Sequence, residues 1–307
     1  MNLDTLTVYI ASTLHFAVPL MLAASGELVS EAAGVLNLSL EGMMLFAAFF
    51  AIWGTSISGD PWVGLLCGIS SGLIFSALQA ILSVRLRANQ LVVGIGLNIL
   101  ALGATTFLNR EIFGALSRQL VPGFGLLEIP GLSSLPIIGP SLFHQYYVVY
   151  VGVALIAAIW FVLRFTAYGV ECHAVGDDPR SADWAGVSVV RVRTIAILVT
   201  GAMAGVSGTL ISVGDIRTFT ENMTNGAGYL AIAAIIFGGW RLWPTVGACL
   251  LFGGAMALQF QFSAADSLVP TAALLMLPYV LALLSVAGLV GRQVPPSALT
   301  IPFLSSR

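Results

Sequence analysis

The run "GDIRTFTENMTNGA", residues 214–227, leads directly into "GYLAIAAIIFGG", residues 228–239. The second run is free of charge but only twelve residues long, whereas a helix needs about 20 apolar residues to cross a hydrocarbon core of about 30 Å. The first is too polar to face lipid. Arg241 follows at once, and a crossing that delivers it to the arginine-rich side needs more depth than the short run supplies. A broken crossing resolves this: the polar stretch dips into the protein before the short helix begins. Irregular backbone is tolerated at membrane depth only where protein buries it or a water-filled cavity adjoins it, so such a crossing implies a cavity. An external loop followed by a short, little-tilted helix is the alternative.

The rest of the chain supports a membrane setting. Of 307 residues, 58% are hydrophobic and 8% charged, about a third of the charged fraction of a soluble domain. Apolar runs at 6–28, 36–53, 62–84, 91–108, 147–163, 192–213, 228–239, 244–262 and 269–290 predict nine spans in one domain, 1–307. The fold class expected is an all-α polytopic helix bundle with one span broken or re-entrant. Gly64, Gly68 and Gly72, and again Gly201 and Gly205, have the small-xxx-small spacing that lets helix backbones approach closely; the alternative is the general abundance of glycine in membrane helices. "MNLDTLTVYI" has no basic residue before the first apolar run, which argues against a cleaved signal peptide.

All twelve basic residues are arginine. With strict alternation, Arg85, Arg87, Arg164, Arg180, Arg191, Arg193, Arg241, Arg292 and Arg307 share one side, and Arg110, Arg118 and Arg217 the other. Basic residues accumulate on the cytoplasmic side, so the amino terminus is expected outside and the carboxyl terminus in the cytoplasm.

Without lysine there is neither a G-x-x-x-x-G-K-[ST] phosphate loop nor a Schiff-base lysine. Cys67, Cys172 and Cys249 have no disulfide or metal spacing, and His15, His144 and His173 are scattered. No catalytic set, metal or cofactor is expected.

Polar residues within apolar runs are the candidate functional positions. In "GVLNLSLEGMML", residues 34–45, Asn37 and Glu41 are four apart and share a helix face. A carboxylate at the bilayer centre costs a few kcal/mol, so Glu41 is expected to face the bundle and to take donors from Asn37 and nearby amides. Either it belongs to the polar lining of a transport path, or it ties a buried knot at the bend where this segment enters the membrane. Asn98 bonds a neighbouring helix or touches solute. Phe219, Glu221 and Asn222 are placed beside the cavity of the broken crossing. Glu27 and Glu31 are read as solvated at the cytoplasmic interface.

The cytoplasmic loop 164–191 contains its own helix signal. Asp178 suits an N-cap, Pro179 the first helical position and Gly186 the residue past the end, predicting a helix over 179–185. Two turns are marginal alone. Ala182 and Ala185 form a small apolar face flanked by Arg180, Asp183 and Trp184, suited to a partner's groove.

Three segments, "GVLNLSLEGMML", "AVGDDPRSADWAGVSVVRVR" and "ENMTNGAGYLAIAAIIFGGW", resemble in order and spacing the signatures of the inner-membrane permeases of bacterial ABC importers for simple sugars and nucleosides, the ribose-type, branched-chain-amino-acid-permease-like family. The resemblance covers about 19–291, and the third segment is most similar to the nucleoside branch. It departs at Ser39, where glycine is expected, and in lacking the extra amino-terminal helix of many sugar permeases. The resemblance implies a second permease subunit, identical or paralogous, a separate ABC ATPase, and an external solute-binding lipoprotein or periplasmic protein, with no nucleic acid. It implies that Asp178, Pro179, Arg180, Ala182, Asp183, Ala185 and Gly186 form the coupling helix, and it favours a place beside the pathway for Glu41. The competing reading is an autonomous ion-coupled secondary transporter.

Overall fold

A computed structural model of the chain describes residues 3–114, 120–128, 138–264, 271–284 and 294–303. Helix α1, Leu3–Ala32, is buried over most of its second half. Seven non-helical residues then lead to α2, Leu40–Ser58. A tight turn joins α2 to α3, Pro61–Ala80: Gly59 is left-handed at φ 72°, and Asp60 accepts from the Trp62 amide at 2.9 Å with Pro61 in the first turn. These residues stop one helix and start the next.

After α3 a π-helical turn, Ile81–Arg85, leads to α4, Gln90–Phe113, which Asn89 caps. Strand β1, Leu126–Glu128, pairs antiparallel with β2, His144–Tyr146, and a short α5, Ile138–Leu142, lies between them in the chain. Then follow α6, Tyr147–Phe165; α7, Ala167–Asp177; α8, Pro179–Trp184; and α9, Val189–Thr209, prolonged by a π-helical segment Leu210–Ile216. The chain continues through α10, Ala227–Phe237, α11, Leu242–Ala264, and α12, Thr271–Leu284.

Among the described residues, seven helices are long and apolar enough to cross a membrane. The other two expected spans are α10, with eleven residues, and 269–290, of which α12 covers fourteen while 269–270 and 285–290 lie outside the described residues. The all-α polytopic class stands; the count of nine does not follow from these lengths.

The two glycine stripes meet one another. A Cβ at Gly72 would strike the Gly201 carbonyl, and one at Gly205 would lie 2.7 Å from Ile69 Cα. On its other side α3 meets α2, where a Cβ at Gly64 would lie 2.7 Å from the Ala51 carbonyl oxygen. Helices α2, α3 and α9 therefore pack backbone to backbone, the arrangement small residues permit in a membrane. Hydroxyls stitch α9 to α1: Thr200 Oγ1 donates to the Gly26 carbonyl at 2.9 Å and Ser207 Oγ to the Pro19 carbonyl at 2.7 Å. By contrast, 22% of the α4 span and 17% of the α6 span are buried, against 72% for α2, which puts α4 and α6 at the periphery.

Candidate functional site

The segment before α2 is not helical, contrary to the span 36–53 expected. Asn37 Oδ1 accepts from the Ser39 amide at 3.1 Å and the Ser39 hydroxyl at 2.6 Å, closing a turn, while the Asn37 amide donates to Glu27 Oε1 at 2.8 Å. Asn37 and Glu41 consequently do not share a helix face, and the expected bond between them is not made. Ser39 stands inside this turn, where the family pattern led us to expect glycine.

Glu41, in the first turn of α2, reaches across to the start of α10. Its Oε1 accepts from Thr224 Oγ1 at 2.6 Å and the Gly226 amide at 2.8 Å, and its Oε2 from the Gly228 amide at 2.7 Å. Gly226 is the residue before α10, at φ 82°, and has no side chain with which to cap it. The carboxylate does so from 185 residues away, placing negative charge at the positive end of the helix dipole. Closeness makes this possible: a Cβ at Gly228 would lie 2.6 Å from the Glu41 nitrogen.

Asn98 of α4 performs the matching task for α2. Its Oδ1 accepts from the Gly42 amide at 2.7 Å, and its Nδ2 donates to the Leu38 carbonyl at 2.8 Å and to Tyr229 Oη at 2.7 Å. Two interrupted segments thus meet with their helix starts capped by side chains from elsewhere in the fold. At 1.5 Å per residue, α10 is about 16 Å long, roughly half of a 30 Å core; the irregular 217–226 stretch precedes it, with Phe219 and Thr224 buried.

Beside this junction lies an open concavity of about 380 Å³, bordered by Glu41, Asn98, Asn222, Asn225 and Tyr229 with Ile99 and Leu102 as apolar wall. Of the residues singled out in the sequence, Glu41, Asn98 and Asn222 converge here. Phe219 does not: it stacks edge-on against Phe49, centroids 5.2 Å apart, in the core. Glu221 is exposed and pairs with Arg110 at 3.1 Å. Asn225, within the run 219–226 expected to border the cavity, lies here too, whereas Tyr229 was not expected; its place in the first turn of the helix that follows was the available signal. His15 and Asp215, 2.6 Å apart, form a pair that their separation in the sequence concealed.

Glu27 and Glu31 are fully buried, which corrects the reading of them as solvated. Glu27 holds the Asn37 turn, and Glu31 Oε2 accepts from the Trp240 indole just past α10. Four apart on α1, the two share a face, and their spacing could not show that Asn37 and Trp240 would close over it.

At the same end as Trp240, the loop 164–191 forms two helices instead of one. Thr166 caps α7, whose Gly169 amide donates to its hydroxyl at 3.4 Å. Burial raises the Cys172 thiol to about 11. Asp178 caps α8 by accepting from the Arg180 amide at 3.1 Å, the Ser181 amide at 3.2 Å and the Ser181 hydroxyl at 2.6 Å. Its carboxyl is held below the usual carboxylate range, first by that hydroxyl and then by the amides. Pro179 occupies the first turn, and Gly186, at φ 93°, ends the helix as expected. The small face is split, however. Ala182 is buried in the protein's own cluster with Val175, Val189 and Val192, whereas Ala185, Trp184, Ser181 and Arg180 are exposed and Asp183 is half-buried. Ala182 anchors α8 to its own chain instead of facing outward for a partner.

The chain belongs to the family described as branched-chain amino acid transport system / permease component, whose model matches residues 9–286. It is 34% identical to the guanosine ABC transporter permease protein NupQ of Bacillus subtilis, over 98% of both chains. It is 29% identical to the nucleoside ABC transporter permease protein NupC of Lactococcus lactis subsp. cremoris over 99% of both, and 35% identical to the putative glucose ABC transporter permease protein TsgC13 of Haloferax volcanii over 81% of this chain and 76% of that one. The chain is thus an ABC transporter permease subunit, a multi-pass protein of the inner (plasma) membrane. Its family implies an ATPase and a solute-binding protein as partners.

Proposed function

We propose that this permease imports a nucleoside, which passes the concavity beside Glu41 on its way to the cytoplasm. The observation that carries the reading is the occupied start of α10. A helix N-terminus is a ready anion site, but here Glu41 fills it, so the concavity offers no free anion site and carries a carboxylate of its own. That favours a neutral solute over a nucleotide or sugar phosphate. The amides of Asn222 and Asn225 can donate and accept, matching base edges and ribose hydroxyls, and the half-exposed Tyr229 ring offers a face for a base. The relatives named for guanosine and nucleosides support the same solute class.

In this scheme the whole chain is one transmembrane domain with a coupling loop over 164–191. The arginine-rich end, with α8, faces the cytoplasm together with the carboxyl terminus, and the amino terminus lies outside. The exposed face of α8, with Arg180, Trp184 and Ala185, docks the ATPase, while Asp178, Pro179 and Gly186 shape it and Ala182 fixes it to the body of the permease. A second permease subunit covers the peripheral face of α4 and closes the pathway.

Uptake of labelled guanosine tests this in cells lacking their own nucleoside uptake and supplied with the ATPase, both permeases and the binding protein. Unlabelled nucleosides should compete while guanosine monophosphate and glucose do not, and Tyr229→Ala should lower uptake severalfold. Glucose uptake without nucleoside uptake would sink the proposal in favour of the sugar branch.

A further inference from the structure

At the arginine-rich end, between α1, α6, α7 and the turn from α10 to α11, lies a second open cavity of about 580 Å³. It is away from Glu41 and has no part in the transport scheme above. Its rim carries Arg164, Arg241 and His173, and its walls include Leu28, Leu163 and Pro244. Among the described residues, neither arginine has an acidic partner.

Aromatic side chains complete the site. Trp160 and Trp243 lie with ring centroids 6.0 Å apart, and Trp160 meets Phe165 edge-on at 5.2 Å. Phe165 continues to Phe161, and both are more than half exposed on the peripheral helix α6. Tryptophan concentrates at the headgroup level of a bilayer, and Phe161, one turn back from Phe165 and away from the Arg164 end of α6, suits acyl chains. Guanidinium forks suit phosphate oxygens.

We propose that this cavity binds the headgroup of an anionic phospholipid, with Arg164 and Arg241 on the phosphate and Trp160 and Trp243 at the glycerol level. Basic pockets between membrane helices on the cytoplasmic side recognise such headgroups. A soluble anion would use the arginines but has no use for the aromatic track leading away from them. Because His173 belongs to α7, the occupied site braces the arm that carries α8.

The test uses the purified transporter in detergent, titrated with dioctanoyl phosphatidylglycerol, dioctanoyl phosphatidylcholine or glycerol phosphate, with bound lipid counted by native mass spectrometry. Phosphatidylglycerol should bind at least about tenfold more tightly than either of the others. The Arg164→Gln, Arg241→Gln double variant should weaken it about thirtyfold. Lysine at both positions should restore most of the binding, and Arg85→Gln at the same membrane end should change nothing. Equal binding of phosphatidylcholine would overturn the charge argument, and equal binding of glycerol phosphate would make this a soluble-anion site. Unchanged affinity in the double variant overturns the proposal outright. Should that variant fail to fold, Arg241→Gln alone must show about a fivefold loss for the proposal to stand.

Discussion

Two short helices in this permease start on a carboxylate, by different routes. Helix α8 takes Asp178, the residue immediately before it, whose bonds run to amides two and three residues on. Helix α10 takes Glu41, 185 residues away from the Gly226 amide it accepts from, and buried. The chemistry is shared: a negative oxygen meets helix amides that have no partner in their own helix. What differs is who else depends on the bond. At α8 water can replace a lost cap, whereas at α10 the buried Glu41 also ties the start of α2 to the start of α10.

The largest effect should therefore come from Glu41→Leu. It strands the Thr224 hydroxyl and two amides, at about 1–3 kcal/mol for each buried group, against a total stability of about 5–15 kcal/mol. We expect little folded protein by fluorescence-detected gel filtration, and an intermediate thermal midpoint for Glu41→Gln, which keeps the oxygen that two of the three donors use. Equal midpoints for Gln and Leu would break the contrast between the two caps.

Next comes the alanine pair of α8. Ala182→Trp overpacks a buried cluster and should cost about 1–3 kcal/mol, lowering the thermal midpoint of the permease. Ala185→Trp points outward, so the midpoint should hold while the ATPase fails to co-purify. If the two variants behave alike, α8 has no distinct inner and outer faces.

Labelling sharpens the picture of the broken crossing. Single cysteines at Asn222 and Asn225, both exposed, should react with an impermeant thiol reagent, and one at the buried Thr224 should not. The native Cys172 should stay silent at pH 8 even toward a membrane-permeant thiol reagent, because burial raises its thiol to about 11.

The smallest effects belong to exposed bonds. Asp178→Ala should fray α8 without moving the global midpoint, as judged by amide exchange at Arg180 and Ser181. Since the Asp178 carboxyl is held below its usual range, its contribution is fully present above the unfolded value of about 3.9 and fades only as pH falls through the lower folded value. Amide protection in α8 should then be flat from about pH 5 to 8. Glu221→Gln, which breaks a surface pair with Arg110, should cost less than about 1 kcal/mol.

The same contrast explains what the sequence made legible. The cap, proline and glycine of α8 are adjacent letters, and the long apolar runs and glycine stripes have fixed spacings, so these could be read directly. Glu41 was recognisable as a carboxylate needing donors, but Asn37 was chosen because it was near, and the true donors stand 183 to 187 residues away. Glu27 and Glu31 were misplaced for a related reason: their burial is supplied by chain that arrives from elsewhere. Ala182 faced the wrong way in the reading because α7, its support, had not been foreseen, although Thr166 before "AYGVECHAVGD" was a usable start signal.

Arg193 adds a matter of timing. Its buried guanidinium donates to the Ala33 carbonyl at 3.1 Å and to the Ile301 carbonyl at 2.9 Å, and Ala298 N donates to the Gly176 carbonyl at 2.8 Å. During synthesis the first carbonyl is already waiting when Arg193 emerges, but the second lies 108 residues downstream, about 5–20 s away at 5–20 residues per second. Throughout that interval the arm bearing α7 and α8 lacks its last fastening. A ribosome stalled just short of Ile301 should hold a permease whose helices α1 to α12 are made and whose arm is still loose, so α8 is fastened to the body only after Ile301 has emerged.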